Sequence, residues 1–481
     1  MDESTTQKIA KNTFWLFGGQ ITGRILRAAI IIYAARVLGA ASWGAFSYAL
    51  SLAAFLTIFS DFGINALLTR EGVKNPELRR HYLSTSLIIK LVMILVLVIF
   101  VFIFGDRLTN LEEAAALIPI VVFIFAFDSL RDLGTSMARA TERMHLEAIV
   151  NVVTNLFIAV FGFIFLSYYG TASSLAWAYA IGTGAGLVII FYIFREYLVG
   201  LTKNFDKQLA KKILTSAWPF GLLGLMGVIM INTDVLMLGW LTSAEQTGLY
   251  SAAQKPIQLL YLAPSLLAAA FFPTLTRFAK ETGDGFRNVF EKGLAATYII
   301  AIPLTVGGVI LSTPLVKLLY GESYMASATS FAILAASMLV VFPATLIANG
   351  IFAHEKQKNL IGYVVLGVLG NIFFNLLFIP VWGIEGSALS TLINQIIINV
   401  YLWQQFNKVS PFSMLTHLKK MAVAGIIMGF VIFMLNSFAT PVLINILLGG
   451  LVYILSLRLL KEPTLSIFKK ILKGPTKAAI E

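Results

Sequence analysis

The chain has 481 residues, 58% of them hydrophobic and only 12% charged, about half the charged share of an ordinary soluble domain. With a mean hydropathy of +0.84 a soluble protein is excluded, and about 34 residues per span and connection leaves room for roughly fourteen membrane helices. The 36 Lys and Arg against 24 Asp and Glu give a net charge of +12, and the absence of cysteine excludes disulfides, thiolate catalysis, Fe–S clusters and cysteine-ligated zinc.

Apolar runs bounded by charged or turn-forming residues predict spans near 12–38, 43–69, 83–104, 115–138, 147–168, 172–195 and 216–240. The second half adds 251–277, 291–319, 326–352, 360–380, 384–406, 418–437 and 441–459. Arg24 and Arg27 precede an apolar run that reaches Gly39, Ala40, Ala41 and Ser42, as in a secretory signal. The apolar pattern begins earlier, at Phe14, and many spans follow, so this segment reads as a first membrane helix.

With the N-terminus placed inside, the inner connections carry 28 of the 36 Lys and Arg and the outer connections carry Arg107. The positive-inside rule then puts both termini in the cytoplasm and accounts for the basic charge without nucleic acid. The tail, with Lys469, Lys470, Lys473 and Lys477, reads as part of that topology signal. Trp43, Trp177, Trp240 and Trp382 fall near outer ends of spans and Trp15, Trp218 and Trp403 near inner ends. All seven are expected to be interfacial anchors. The connections are short, leaving no room for a soluble catalytic domain.

The two halves resemble each other. Leu38, Gly39, Gly44, Phe46, Ser47 and Ala49 match Leu238, Gly239, Gly248, Tyr250, Ser251 and Ala253, at an offset growing from 200 to 204. Thr69 and Arg70 match Thr276 and Arg277 at 207, and Ala140, Glu142, Arg143 and Gly170 match Ala353, Glu355, Lys356 and Gly383 at 213. An even number of spans separates the copies, so both run in the same direction. The expected fold is an all-α polytopic membrane protein of two parallel six-helix lobes around a central cavity. Residues 1–200 and 201–410 form the lobes, 411–460 two further helices, and 461–481 a basic cytoplasmic tail.

Three segments resemble a known family. ARVLGAASWGAFSYA (35–49), continuing to DFGINALLTRE (61–71), is similar to the start of the polysaccharide transporter family. That family belongs to the multidrug, oligosaccharidyl-lipid and polysaccharide flippase superfamily. INTDVLMLGWLTSAEQTGLYSAAQK (231–255) resembles its seventh-helix signature and WGIEGSALST (382–391) its turn between helices eleven and twelve. The resemblance covers nearly the whole chain and implies a flippase for isoprenoid-diphosphate-linked oligosaccharide in a prokaryotic plasma membrane. It also implies membrane lipids and a glycan polymerase or ligase as partners, a monomeric state and no cofactor.

Ionisable residues within spans are too unfavourable in lipid to be incidental, by about 2.5–3.5 kcal/mol each at the helix centre. Arg24 and Arg27 share one face of the first span, and Gln20 extends that stripe by a turn. Two guanidiniums suit a diphosphate because each presents a planar fork to phosphate oxygens; the other reading is pairing with acids of the same lobe. Asp61, Asp128 and Asp132 could neutralise Arg24, Arg27 and Arg131, and are expected to serve coupling or gating. In the second lobe Asp234 and Lys255 lie at similar depth, as a structural ion pair or a proton-coupled gate, and Asn232 and Gln254 beside them could bind sugar hydroxyls. Lys90 is expected to snorkel to the cytoplasmic surface. Prolines 256, 264, 273, 303 and 343, with Gly221, Gly224 and Gly227, weaken helices where bending would help alternating access.

An ion-coupled multidrug exporter of the same superfamily is the transporter alternative. The resemblance to that branch would place an acid in the first span, which here has none. For the lipid II flippase branch, Arg24 is retained but the expected Arg-Asp pair falls on Ile30 and Ile31. A membrane glycosyltransferase or polymerase needs acid or base residues near bound sugar, commonly in sizeable loops. This chain has small loops, and His81, His145, His354 and His417 are scattered without metal-site spacing. No GxxxxGK[ST] motif occurs, so a proton gradient or the membrane potential is the expected drive.

Overall fold

The structure is a computed structural model that describes residues 3–279, 285–413 and 418–465. Most of the expected basic tail, beyond residue 465, and His417 lie outside the described residues. Among the described residues the regular elements are all helical: α1 (Glu3–Asp61), α2 (Ile64–Lys74), α3 (Arg79–Phe104), α4 (Glu112–Ala140), α5 (Met144–Tyr169), α6 (Ala172–Ile193), α7 (Arg195–Leu198) and α8 (Lys207–Leu241). They continue with α9 (Ala244–Leu260), α10 (Leu262–Phe278), α11 (Gly285–Ile310), α12 (Ser312–Tyr320), α13 (Ala328–Ala353), α14 (Asn359–Val409), α15 (Leu418–Ser437) and α16 (Val442–Leu459).

Among the described residues, twelve stretches are long and apolar enough to cross a membrane. Two of these are long enough to cross twice. α1 and α14 have 59 and 51 residues, which at 1.5 Å per residue is more than twice the roughly 30 Å hydrocarbon thickness. Each breaks at a glycine in a conformation that a side chain disfavours: Gly39 has φ 74 and ψ 174, Gly383 φ 54 and ψ −124. Counting their arms separately gives the fourteen apolar crossings expected from the sequence.

Some boundaries differ. The second arm of α1 ends at Asp61, before the expected 69, because Phe62 (φ 41) and Gly63 (φ 86) turn the chain and α2 starts afresh. Asp61 stabilises that turn, accepting from the backbone N–H of Gly63 and Asn65, each at 3.2 Å. The ninth span ends at Ile310, before the expected 319; α12 follows as a separate short helix, and Lys317 pairs with Glu322 in that connection.

The repeat is written in the backbone. Glu142 and Glu355, 213 residues apart, both occupy the left-handed region, with φ 57 and 59. Their surroundings match. The N–H of Glu142 donates to Arg139 O at 2.9 Å and that of Arg143 to Ala138 O at 2.8 Å. The N–H of Glu355 donates to Phe352 O at 3.0 Å and that of Lys356 to Ile351 O at 3.1 Å. Glu142, Glu355 and Gly170 each close a helix as left-handed residues do. Gly383 shares the positive φ of Gly170, 54 against 59, but its ψ of −124 puts it outside the left-handed region, at the break in α14.

Contacts divide the chain into two compact units, Met1–Ser251 and Ala252–Glu481. The division falls beyond residue 200 because α8 packs on α1 and α2. A Cβ on Gly63 would lie 2.2 Å from Ala217 O, and one on Gly221 would lie 2.6 Å from the Phe62 carbonyl. Gly221 is therefore a packing glycine at a close backbone approach. At the other end of the second arm of α1 the repeat-related glycines meet. A Cβ on Gly44 would lie 1.8 Å from Ala244 O, and one on Gly248 would lie 1.8 Å from Ala40 O. Small residues at four-residue spacing on both helices permit this crossing.

The core of the first unit joins Ile64, Leu68, Leu133, Met137, Ile190 and Ile213. That of the second is built around Phe290, Phe406 and Phe412, with ring centroids of Phe290 and Phe406 4.8 Å apart. α15 rests on α11 through Gly425 and Gly429, against Ile302 and Val306. Six tryptophans are exposed, as interfacial anchors would be, but Trp43 is only 1% exposed and packs on Phe46, so it belongs to the core.

Candidate functional site

The first arm of α1 carries Gln20, Arg24 and Arg27 on one face, and opposite them α4 presents a run of charges. Arg131 is held from both sides: Nη1 lies 2.8 Å from Asp128 Oδ1 and Nη2 lies 3.0 Å from Asp132 Oδ1. The spacing of three residues puts Asp128 on the same helix face as Arg131, whereas the adjacent Asp132 is reached by the length of the arginine side chain. Further along α4, Arg139 donates its Nε to Glu147 Oε2 of α5 at 2.8 Å and makes a second bond to the same carboxylate.

Asp61 goes elsewhere. Its Oδ1 lies 3.0 Å from Lys90 Nζ, and that ammonium also donates to Ser129 O at 2.9 Å. Ser60 Oγ donates to Ser129 Oγ at 2.6 Å, which ties α1 to α4 at the same level. Lys90 is fully buried. The expectation that it snorkels to the surface is therefore corrected: a carboxylate and a carbonyl inside the bundle satisfy it, and the pair lies where an unpaired charge would be strongly destabilising.

With Asp61 taken by Lys90, and Asp128 and Asp132 by Arg131, no carboxylate of this cluster pairs with Arg24 or Arg27. Arg27 donates Nε to Asn155 Oδ1 at 2.9 Å, a neutral partner. Among the described residues Arg24 has no hydrogen-bond or ion-pair partner. The alternative in which the lobe's acids neutralise all three arginines thus holds for Arg131 alone.

These side chains surround a polar cavity of about 420 Å³. α1 lines it with Gln20, Gly23, Arg24 and Arg27, and α2 with Asn65. α4 contributes Arg131, Asp132, Thr135, Ser136 and Arg139; α5 contributes Glu147, Asn151 and Asn155. The cavity lies within the first unit, and its lining stops at Asn155. Asp128 is not in the lining but pairs with Arg131, which is. Chemically, the cavity offers two guanidiniums with no carboxylate ion pair, Arg27 lying within electrostatic reach of Asp128, together with amides able to donate or accept and, among the described residues, no nucleophile poised against a base.

The second-lobe candidates have other surroundings. Asn232 donates to Val228 O of its own helix at 3.0 Å. Asp234 is buried and accepts a 2.7 Å bond from Tyr250 Oη. Gln254 is buried, and Lys255 is half-buried on the same helix. None of the four lines the cavity.

Sequence reasoning missed Asn151, Asn155, Arg139 and Glu147. The asparagines had a signal, two amides at i and i+4 inside an otherwise apolar helix, which places both on one face.

A family model described as polysaccharide biosynthesis protein matches residues 9–279, more than half of the chain. The chain belongs to the polysaccharide biosynthesis protein family. This family member is 21% identical over 465 residues to the Haloferax volcanii protein named "Probable low-salt glycan biosynthesis flippase Agl15", covering 95% of this chain and 96% of that one. Its fold is similar to that of "Lipid II flippase MurJ, inward closed conformation", with a TM-score of 0.74 at 22% identity over 95% of this chain and 99% of that one. A second solved structure, an inward-facing multidrug resistance MATE family transporter of the MOP superfamily, matches with a TM-score of 0.64 at 15% identity, covering 81% of this chain and 95% of that one. These likenesses show the fold: an all-α, multi-pass membrane architecture shared by flippases and drug transporters.

Proposed function

We propose that the chain is a flippase that carries isoprenoid-diphosphate-linked oligosaccharide from the cytoplasmic to the outer leaflet by alternating access, in polysaccharide biosynthesis. The observation that carries this reading is the pair Arg24 and Arg27, lining a polar cavity with no carboxylate partner while the neighbouring cations each have one. A guanidinium stays charged in any such site and binds phosphate oxygens through its fork. The amides of Gln20, Asn151 and Asn65 add neutral hydrogen-bonding capacity for the first sugar. The family membership and the flippase names of its relatives point the same way.

In this reading the protein sits in a prokaryotic plasma membrane with both termini in the cytoplasm, as its basic connections direct, and works as a monomer feeding a glycan polymerase or ligase. The charged residues Asp61, Asp128, Arg131, Asp132, Asp234 and Lys255 serve the conformational cycle, and Asn232 and Gln254 of the second lobe meet the glycan after it leaves the first.

An ion-coupled multidrug exporter is the second reading, favoured by the MATE fold match. Cationic drugs need an available acid, and Asp61, Asp128 and Asp132 are engaged by Lys90 and Arg131. Purified full-length protein in proteoliposomes separates the two. The flippase reading expects translocation of a fluorescent isoprenoid-diphosphate oligosaccharide and no movement of a lipophilic cationic dye, with and without an imposed pH gradient. Dye transport without lipid translocation would reject it.

A further inference from the structure

Arg27 differs from the other arginines around the cavity in what holds it. Arg131 and Arg139 are fixed by carboxylates, whereas Arg27 is fixed through Nε by the Asn155 side-chain oxygen at 2.9 Å. Asn155 is 3% exposed and is itself anchored. Its Nδ2 donates to Asn151 Oδ1 at 2.6 Å and to Asn151 O at 2.8 Å. α1 makes room for the amides with a glycine: a Cβ on Gly23 would lie 2.9 Å from both Asn151 Oδ1 and Asn155 Nδ2.

An aspartate has nearly the same shape as an asparagine and would hold Nε at least as firmly, but it would cancel the charge it positions. An amide orients the guanidinium and leaves its charge and its two terminal amino groups for an anion. We propose that Asn155, seated on Asn151, is a positioning residue that presents Arg27 in a fixed orientation at full charge to the phosphate groups of the lipid-linked substrate. The proposal rests on the flippase reading above and adds to it which neutral residue maintains the anion site.

The test uses the full-length protein in detergent and geranylgeranyl diphosphate as the probe, with the Kd measured for wild type, R27M, N155D, N155A and the double variant N155D/R27M. N155D is expected to raise Kd about tenfold, as the loss of one charge-assisted interaction would. Asn151 can turn its amide to donate to the new carboxylate, so the fold is retained. N155A, which loosens Arg27 without neutralising it, is expected to raise Kd about threefold. In the R27M background N155D should add nothing further. Equal losses from N155A and N155D, or the same added loss from N155D in the R27M background, would mean a packing effect and overturn the proposal. Wild-type affinity in N155D with weakened R27M would overturn the positioning role while leaving the anion site standing. Wild-type affinity in R27M would remove the anion site and the proposal together.

Discussion

Lys90 Nζ lies 3.0 Å from Asp61 Oδ1, and this contact between α3 and the end of α1 determines the charge of the neighbouring cavity. It withdraws from the arginines the acid that the sequence would have shared among them. It also joins two structural tasks, since the same carboxylate caps the turn into α2.

Breaking that pair from one side should therefore be costly. K90M leaves Asp61 without its buried counter-charge and is expected to destabilise the protein by about 3 kcal/mol. K90M/D61N, with both charges gone and the cap donors still served by an amide oxygen, should recover most of the loss. Thermal unfolding in detergent checks both, and equal melting temperatures for K90M and wild type would contradict a structural role for the pair.

The glycine crossing makes a second prediction. G44A and G248A each place a methyl group 1.8 Å from a carbonyl oxygen, so the helices must separate, at about 1–3 kcal/mol. G227A serves as the control, because nothing lies within 4 Å of a Cβ there. It should be neutral or slightly stabilising, by no more than about 1 kcal/mol. Thermal unfolding of the three variants side by side gives the comparison.

Glu355 holds a left-handed conformation, φ 59, in the repeated turn between α13 and α14. Replacing it by glycine relieves a cost of about 1–2 kcal/mol and gives back part of it as unfolded-state entropy. E355G should raise the melting temperature by a few degrees without altering transport. A lower melting temperature would show that the glutamate side chain matters more than its backbone.

The crossings were legible because apolar runs and glycine breaks are local, and Gly39 and Gly383 fall where the hydropathy pattern interrupts. The turn at Phe62 and Gly63 was hidden because the apolar pattern runs on to Leu68. The repeat was readable from Gly44, Glu142 and their partners, but that Gly44 would meet Gly248 required the helices to be placed. In the site, the pairing of Arg131 with Asp128 could be read from the three-residue spacing, whereas which partner the adjacent Asp132 would take could not. Lys90 could not, since whether a lysine in a membrane helix snorkels or pairs depends on the facing helix, and Asp61 lies 29 positions away on another element. Trp43 fails for the same reason: position along a span does not say whether a ring faces lipid or a neighbouring helix.

The central claim is that Arg24 and Arg27 receive the diphosphate of a lipid-linked oligosaccharide. It is tested most directly by the initial rate of translocation of that lipid in proteoliposomes containing wild type or R24K/R27K at equal reconstituted amounts. The double variant keeps both charges and loses both forks, so the rate is expected to fall by about tenfold or more while insertion and melting temperature stay unchanged. A rate equal to that of wild type would contradict the claim.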